Sequence, residues 1–296
     1  MGMTFDSNSN LFVCDGGNSQ IVKVDTQGNA SIVQLTNGAP NDSSSLPLCF
    51  PEMVVFDSKG GRYNGYMYVM DGNNTIYKVK CNSGVYTPFA NIIGHYLGMA
   101  IDSHNNLYYS SLDYPSATAK NVVQRIFKIT PDGSSNLFLD LTDVVCYPGG
   151  LAADKHYLYV ADLGGNTIGR YPLTPGKLHA NPSFITLTPS NNPTLNVHET
   201  MAANFVDPSF NPYGGNQCNI TLAPNGDLIV LTGNDGQGNN TTIDRYDATG
   251  KLVATISSAA MSDLVNGPIG VAVDSKNNVY ISNQNINTVC VITHTA

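Results

Sequence analysis

Gly150-Leu-Ala-Ala-Asp154, then Tyr157-Leu-Tyr-Val-Ala-Asp162, then Thr167-Ile-Gly-Arg-Tyr171 is the cleanest copy of a pattern that recurs along the chain. It holds three short runs rich in β-branched, aromatic and small residues, separated by the Gly, Asn and Asp that favour turns. The same wording lies upstream as Gly98-Met-Ala-Ile-Asp102, Asn106-Leu-Tyr-Tyr109 and Ile126-Phe-Lys-Ile129. Earlier still it reads Met53-Val-Val-Phe-Asp57 with Tyr66-Met-Tyr-Val-Met-Asp71, and Gly2-Met-Thr-Phe-Asp6 with Asn10-Leu-Phe-Val-Cys-Asp15. Downstream it becomes Ile220-Thr-Leu-Ala-Pro224 with Asp227-Leu-Ile-Val230, then Gly270-Val-Ala-Val-Asp274 with Asn278-Val-Tyr-Ile-Ser282.

Most copies carry a fourth run, such as Ser135-Asn-Leu-Phe-Leu-Asp140 or Leu252-Val-Ala-Thr-Ile256. Four antiparallel strands in about 45 residues is the size of a propeller blade. Six such blades close radially around a tunnel and leave few exposed edges. The expected fold is therefore an all-β, six-bladed propeller, with blades near 2–46, 51–93, 97–142, 148–188, 219–257 and 268–296. Small first-strand residues (Gly98, Ala100, Gly150, Ala152, Gly270, Ala272) suit strands that converge on an axis. The sixth copy stops about one strand short, so its blade is expected to have an open outer edge. One reading is that the closing strand lies upstream or downstream of this sequence; the other is simply a three-stranded last blade. Between copies four and five, 189–217 is a long inter-blade loop, of the kind that is usually functional or disordered.

Composition narrows the function. A net charge of −8 with 14 thinly spread Lys and Arg argues against a nucleic-acid partner, which requires clustered cations. A cationic or neutral partner suits this surface better. Only Glu52 and Glu199 are glutamates among the 22 acidic residues, so the aspartates are read mostly as turn caps. No apolar run approaches the roughly 20 residues of a membrane helix, and no signal peptide opens the sequence as given. Six cysteines and an Asn/Ser/Thr-rich surface favour an extracellular setting or a cell or particle surface.

The repeat wording G-(Val/Met/Leu)-Ala-x-Asp followed by (Leu/Val)-Tyr-Val-x-Asp-x-x-Asn-x-x-Ile resembles the NHL family over nearly the whole chain. The fourth copy, Pro148 to Tyr171, is also similar to the regucalcin/gluconolactonase group. Such propellers include scaffolds, receptors, lyases and lactonases, so the resemblance speaks to fold before function. In the gluconolactonase-like family, residues just before the first strand's glycine position supply metal ligands: a Glu, an Asn and an Asp. The matching positions are Met1, Glu52, Leu97, Gly149, Asn219 and Ile269. The resemblance thus implies Glu52 and Asn219 as ligands facing each other across the tunnel. The Asp is replaced by Ile269, and a further polar pocket residue by Gly149.

Calcium takes six to eight oxygens, so losing a carboxylate matters. His95 lies near the same mouth, and a Glu52, Asn219, His95 set with an open position would suit zinc or a similar ion. A divalent cation, calcium or zinc, is thus the candidate cofactor. His198, Glu199, Phe210, Tyr147 and Tyr213, with Tyr114, are the candidate contacts to a ligand or partner. Cys146 and Cys218 fall on neighbouring blades and form the candidate disulfide, if their α-carbons approach within about 7 Å. Cys14, Cys81 and Cys290 are expected as buried thiols in or beside strands. A catalytic thiol at Cys49 or Cys146 would depend on His95, and no Gly-x-Ser-x-Gly, phosphate-loop or HExxH motif occurs. The favoured reading is a non-catalytic propeller that binds a protein, glycan or small ligand at the tunnel mouth. The alternative is a metal-dependent hydrolase or lyase using Glu52 and Asn219.

Overall fold

The repeated aspartates organise the chain before any blade packs. In a computed structural model, which describes residues 2–37, 48–58, 60–61, 65–113, 123–142, 148–162, 167–173, 183–186, 219–232, 242–257, 267–283 and 286–293, the same turn recurs between strands. Asp102 Oδ1 accepts the backbone N–H groups of His104 (2.8 Å) and Asn106 (2.9 Å), while Oδ2 accepts the Asn106 amide at 2.8 Å. Asp6 and Asp274 make the same three contacts with Asn8 and Asn10, and with Lys276 and Asn278. The residue before the closing Asn is left-handed, φ 65° at Asn105 and 64° at Asn277, which explains the Asn-rich turns. A shorter aspartate reaches its own turn's amides where a glutamate would overshoot. Related turns further out lower exposed carboxyls: the Asn29 amide lowers Asp25, and the Thr130 and Thr249 hydroxyls lower Asp132 and Asp247.

Between these turns the apolar runs form, among the described residues, 23 strands in six sheets. Blade one is β1 (Met3–Phe5), β2 (Leu11–Asp15), β3 (Gln20–Val24) and β4 (Ala30–Ile32). Blade two is β5 (Pro51–Phe56), β6 (Tyr66–Asp71), β7 (Thr75–Lys80) and β8 (Tyr86–Asn91). Blade three is β9 (His95–Ile101), β10 (Leu107–Asp113), β11 (Val123–Ile129) and β12 (Ser135–Asp140). Blade four is β13 (Pro148–Ala153), β14 (Tyr157–Asp162), β15 (Thr167–Pro172) and β16 (Ser183–Thr186). Blade five is β17 (Asn219–Leu222), β18 (Leu228–Thr232), β19 (Thr242–Tyr246) and β20 (Leu252–Ser257). Blade six is β21 (Pro268–Val273), β22 (Val279–Asn283) and β23 (Thr288–Ile292).

Each sheet is an antiparallel meander running outward from its first strand. The expected six-bladed propeller is what forms. Among the described residues the sixth sheet has three strands, and its outer edge β23 leaves Val289 38% and Val291 44% exposed.

The core is six apolar layers between neighbouring blades rather than one centre. Blades one and two clasp Cys14, Ile21, Val54, Val69 and Val79, with Phe12 and Phe56 edge-to-face at 4.8 Å. Between blades three and four sit Tyr108, Ile126, Leu158 and Val160, and between four and five Tyr159, Ile168, Val230 and Tyr246. Fully burying a side chain of this size contributes about 1.5–3 kcal/mol. The seam that closes the ring is thinner: Met3, Leu11 and Val13 of blade one meet Ala272 of blade six. The first-strand glycines allow the inner strands to crowd together. A Cβ on Gly98 would fall 2.5 Å from the Gly149 carbonyl oxygen, and one on Gly150 would fall 2.9 Å from Asn219 Cα.

Candidate functional site

Tunnel-mouth positions are set by irregularities in the first strands. Register breaks between Pro51 and Met53, between Pro148 and Leu151, and between Pro268 and Gly270. On β9 it breaks between the partners of Tyr109 and Ser111, across Leu97 and Gly98. Glu52, Leu97, Gly149 and Ile269 therefore all sit at β-bulges. Bulges leave a residue out of the ladder and re-aim its side chain, and they concentrate beside functional sites. The family-like positions read from sequence are thus the points where the inner strands stop being regular.

Glu52 is half-buried on β5 and makes no hydrogen bond or ion pair among the described residues. Burial pushes its carboxyl up to about 7; the N-terminal ammonium draws it down and the neighbouring Asp71 carboxylate adds to the rise. Near neutral pH this group is divided between a proton donor and an acceptor. Its backbone is tied down, since Gly2 N–H donates to the Glu52 carbonyl at 2.5 Å. Asp71 was legible only as a repeat position, yet it anchors this corner. It is fully buried at the end of β6, and both its oxygens accept the Cys49 N–H, at 3.0 and 2.9 Å. Burial still pushes Asp71 up to about 6, against the pull of those backbone donors.

Asn219 opens β17 and packs against Gly150. Its Oδ1 accepts the Ile220 N–H at 2.9 Å and its Nδ2 donates to the Ile269 carbonyl at 3.2 Å. The amide is therefore a strut between blades five and six. His95 begins β9, with its backbone opposite Leu112. Beyond the mouth, all six first strands line a tunnel of about 430 Å³, with Met3, Val54, Met99, Leu151, Asn219 and Val271 among its walls.

A calcium ion requires six to eight oxygens. Here the described mouth residues offer one carboxyl and one amide already engaged on backbone, with an isoleucine where a second carboxylate would stand. Among the described residues no group of three or more His, Cys, Asp or Glu side chains comes together. This donor set does not fit a calcium site.

Of the other sequence candidates, His198, Glu199, Phe210, Tyr114, Tyr147 and Tyr213, the loop 189–217, and the Cys146–Cys218 pair lie outside the described residues. Cys14 is buried, and burial pushes its thiol up to about 12. Cys81 and Cys290 are only half-buried rather than fully enclosed, though burial raises both thiols, Cys81 to about 12. Cys49 is exposed.

No protein-family model and no curated protein matches this chain. Solved structures do. A streptogramin B lyase is 16% identical, with 100% of this chain and 83% of that one covered and a TM-score of 0.56. Nidogen, solved in complex with laminin, is 15% identical over 92% of this chain and 83% of its own, with a TM-score of 0.61. Regucalcin from Agrobacterium tumefaciens, a calcium-binding protein, is 12% identical over 95% and 80%, also with a TM-score of 0.61. At such identities the likeness is one of fold. The same six-bladed frame carries a lyase, a calcium-binding protein and a module crystallised with a protein partner.

Proposed function

We propose that this protein is a non-catalytic recognition propeller that binds a neutral or cationic ligand (a protein, a glycan or a small molecule) at the tunnel mouth. The observation that carries this reading is Glu52: a half-buried carboxyl at a bulge, with no hydrogen bond or close ion pair among the described residues and the N-terminal ammonium as its one attractive charge. Half-burial strips part of the water from this group, at a cost that reaches about 1–3 kcal/mol where desolvation is complete. A hydroxyl, amide or ammonium from a ligand would offset that cost. A carboxyl near half-protonation can donate to a neutral ligand or accept from a cation. Asn219 supports the same reading from the other side, since its amide braces blade six. The overall charge of −8 favours cations over polyanions at long range.

The test is binding of neutral oligosaccharides and of Lys- and Arg-containing peptides to the whole protein, with and without a chelator. The expected result is binding that survives chelation and falls at least about tenfold in Glu52→Ala, the loss of one charge-assisted hydrogen bond. The rival is a lactonase-like metal enzyme with Glu52, Asn219 and His95 as ligands. Saturable calcium or zinc binding abolished by Glu52→Ala, or lactone hydrolysis that stops on chelation, would replace the recognition reading with that one.

A further inference from the structure

We infer that the cleft between blades three and four, on the face opposite the tunnel mouth, binds a small ligand through a phosphate or sulfate group. The cleft encloses about 700 Å³, and its walls include Lys128, Lys155, His104, His156 and Tyr157. In a chain with 14 Lys and Arg and 6 His, that concentrates cationic and imidazole groups in one place. Two neighbouring blades place a histidine at the same turn position, two residues after the capping aspartate: Asp102-Ser-His104 and Asp154-Lys-His156. Blades one and six have Asn8 and Lys276 there, so the paired imidazoles belong to this cleft.

What makes the cleft a receptor for anions is where its own carboxylates are engaged. Asp102 accepts from His104 N, Asn106 N, Asn106 Nδ2 and the Tyr108 hydroxyl, the last at 3.1 Å. Asp154 accepts from the backbone of His156 and Tyr157, both at 2.6 Å, and from the Tyr159 hydroxyl at 3.1 Å. Both acids are engaged by their own turns, and Asp102, which also lines the cleft, is buried. Neither Lys128 nor Lys155 pairs with a carboxylate among the described residues, where the ion pairs are Arg125–Asp140 and Arg245–Asp227. The Lys128 ammonium lies 5.8 Å from the Tyr108 ring centre, which holds it over the cleft wall without neutralising it. Arg170 is otherwise engaged, stacked 4.9 Å over Tyr157 and donating to the Ala248 carbonyl.

Two unpaired ammonium groups and two imidazoles match the several oxygens of a tetrahedral oxyanion. The volume exceeds that of the bare ion. Asp102, Asn106, Tyr157, Pro172 and Leu173 complete the wall, leaving room for an organic carrier such as a sugar.

The test titrates the intact protein with inorganic phosphate, inorganic sulfate, a hexose phosphate and a hexose sulfate at constant ionic strength, following the His104 and His156 ring resonances. Saturable shifts are expected, with at least one sugar ester tighter than its inorganic ion; comparison of the two series tells a phosphate site from a sulfate site. Lys155→Gln should weaken binding about tenfold, and adding Lys128→Gln should remove it, as expected for charge-assisted contacts. Lys276→Gln, in the corresponding turn of blade six, should leave it unchanged, and so should Glu52→Ala, which separates this site from the mouth. No saturable shift by roughly 10 mM of any probe, a range that covers weak specific binding, overturns the inference. So does unaltered affinity in the Lys128→Gln/Lys155→Gln protein.

Discussion

Replacing Glu52 by glutamine removes a titratable proton while keeping the shape of the side chain, and its effect on stability should depend on pH in one direction only. In the folded protein burial raises the Glu52 carboxyl from 4.5 to about 7. A raised carboxyl contributes nothing adverse while it is protonated in both states, below pH 4.5. As pH rises through 4.5 the unfolded chain loses its proton and the folded protein keeps it, so stability falls until the folded group ionises near 7. At 1.36 kcal/mol per pH unit the full loss is roughly 3 kcal/mol, and partial solvent access brings it to on the order of 2. Glutamine escapes this loss. Glu52→Gln should match the wild type at pH 4 and exceed it by about 2 kcal/mol at pH 8, a rise in Tm of roughly 4–8 °C for a domain of this size. Urea unfolding at both pH values, followed by circular dichroism, reads the difference directly. A variant less stable than wild type at pH 8 would refute the reasoning, because it would mean that the attraction of the N-terminal ammonium for the Glu52 carboxylate outweighs the cost of its burial. An equal gain at pH 4 and pH 8 would refute it too. If the same variant gains stability and loses ligand binding, the residue fits the usual trade between stability and a functional site.

Gly150→Ala places a Cβ 2.8 Å from Asn219 Oδ1 and 2.9 Å from the Ile220 nitrogen, so it should lower stability by about 1–3 kcal/mol in chemical denaturation. A neutral result would mean that the inner strands have slack the geometry denies. Asp102→Ala strands the Tyr108 hydroxyl and the turn's N–H donors, for an expected loss of about 2–4 kcal/mol, with Asp102→Asn losing less; equal losses for both would show that the acceptor is unimportant. Val291→Lys, on the open edge of blade six, should reduce self-association in sedimentation velocity while changing stability by less than about 0.5 kcal/mol. Unchanged association in that variant would show that β23 is not the sticky edge.

The blade pattern was legible because each strand and turn is specified over a few residues. Short runs rich in Val, Ile and Tyr make strands, the second of a blade buried on both faces, and Asp with Asn four residues on makes the turn, as at Asp6, Asp102 and Asp274. Such local rules survive repetition, so six copies implied six blades. The bulge positions were reachable only through resemblance, since nothing in Glu52 or Ile269 as isolated letters signals a break in register. The condition of Asn219 was not legible at all. Its amide reaches Ile269, 50 residues on, and only the packing of blade five against blade six makes that contact.

For the same reason the cleft of Lys128, Lys155, His104 and His156 was invisible in one dimension, where those residues read as thinly spread charges. The propeller announced at Gly150–Tyr171 follows from local chemistry: short runs of β-branched and aromatic residues, small residues on inner strands, and aspartates that close their own turns. Which side chains become a site depends on distances across blades, where an amide reaches a neighbouring strand or one carboxyl is half-buried near another. Those distances exist only once the ring has closed, because the ring alone brings residues far apart in sequence into one low-dielectric space.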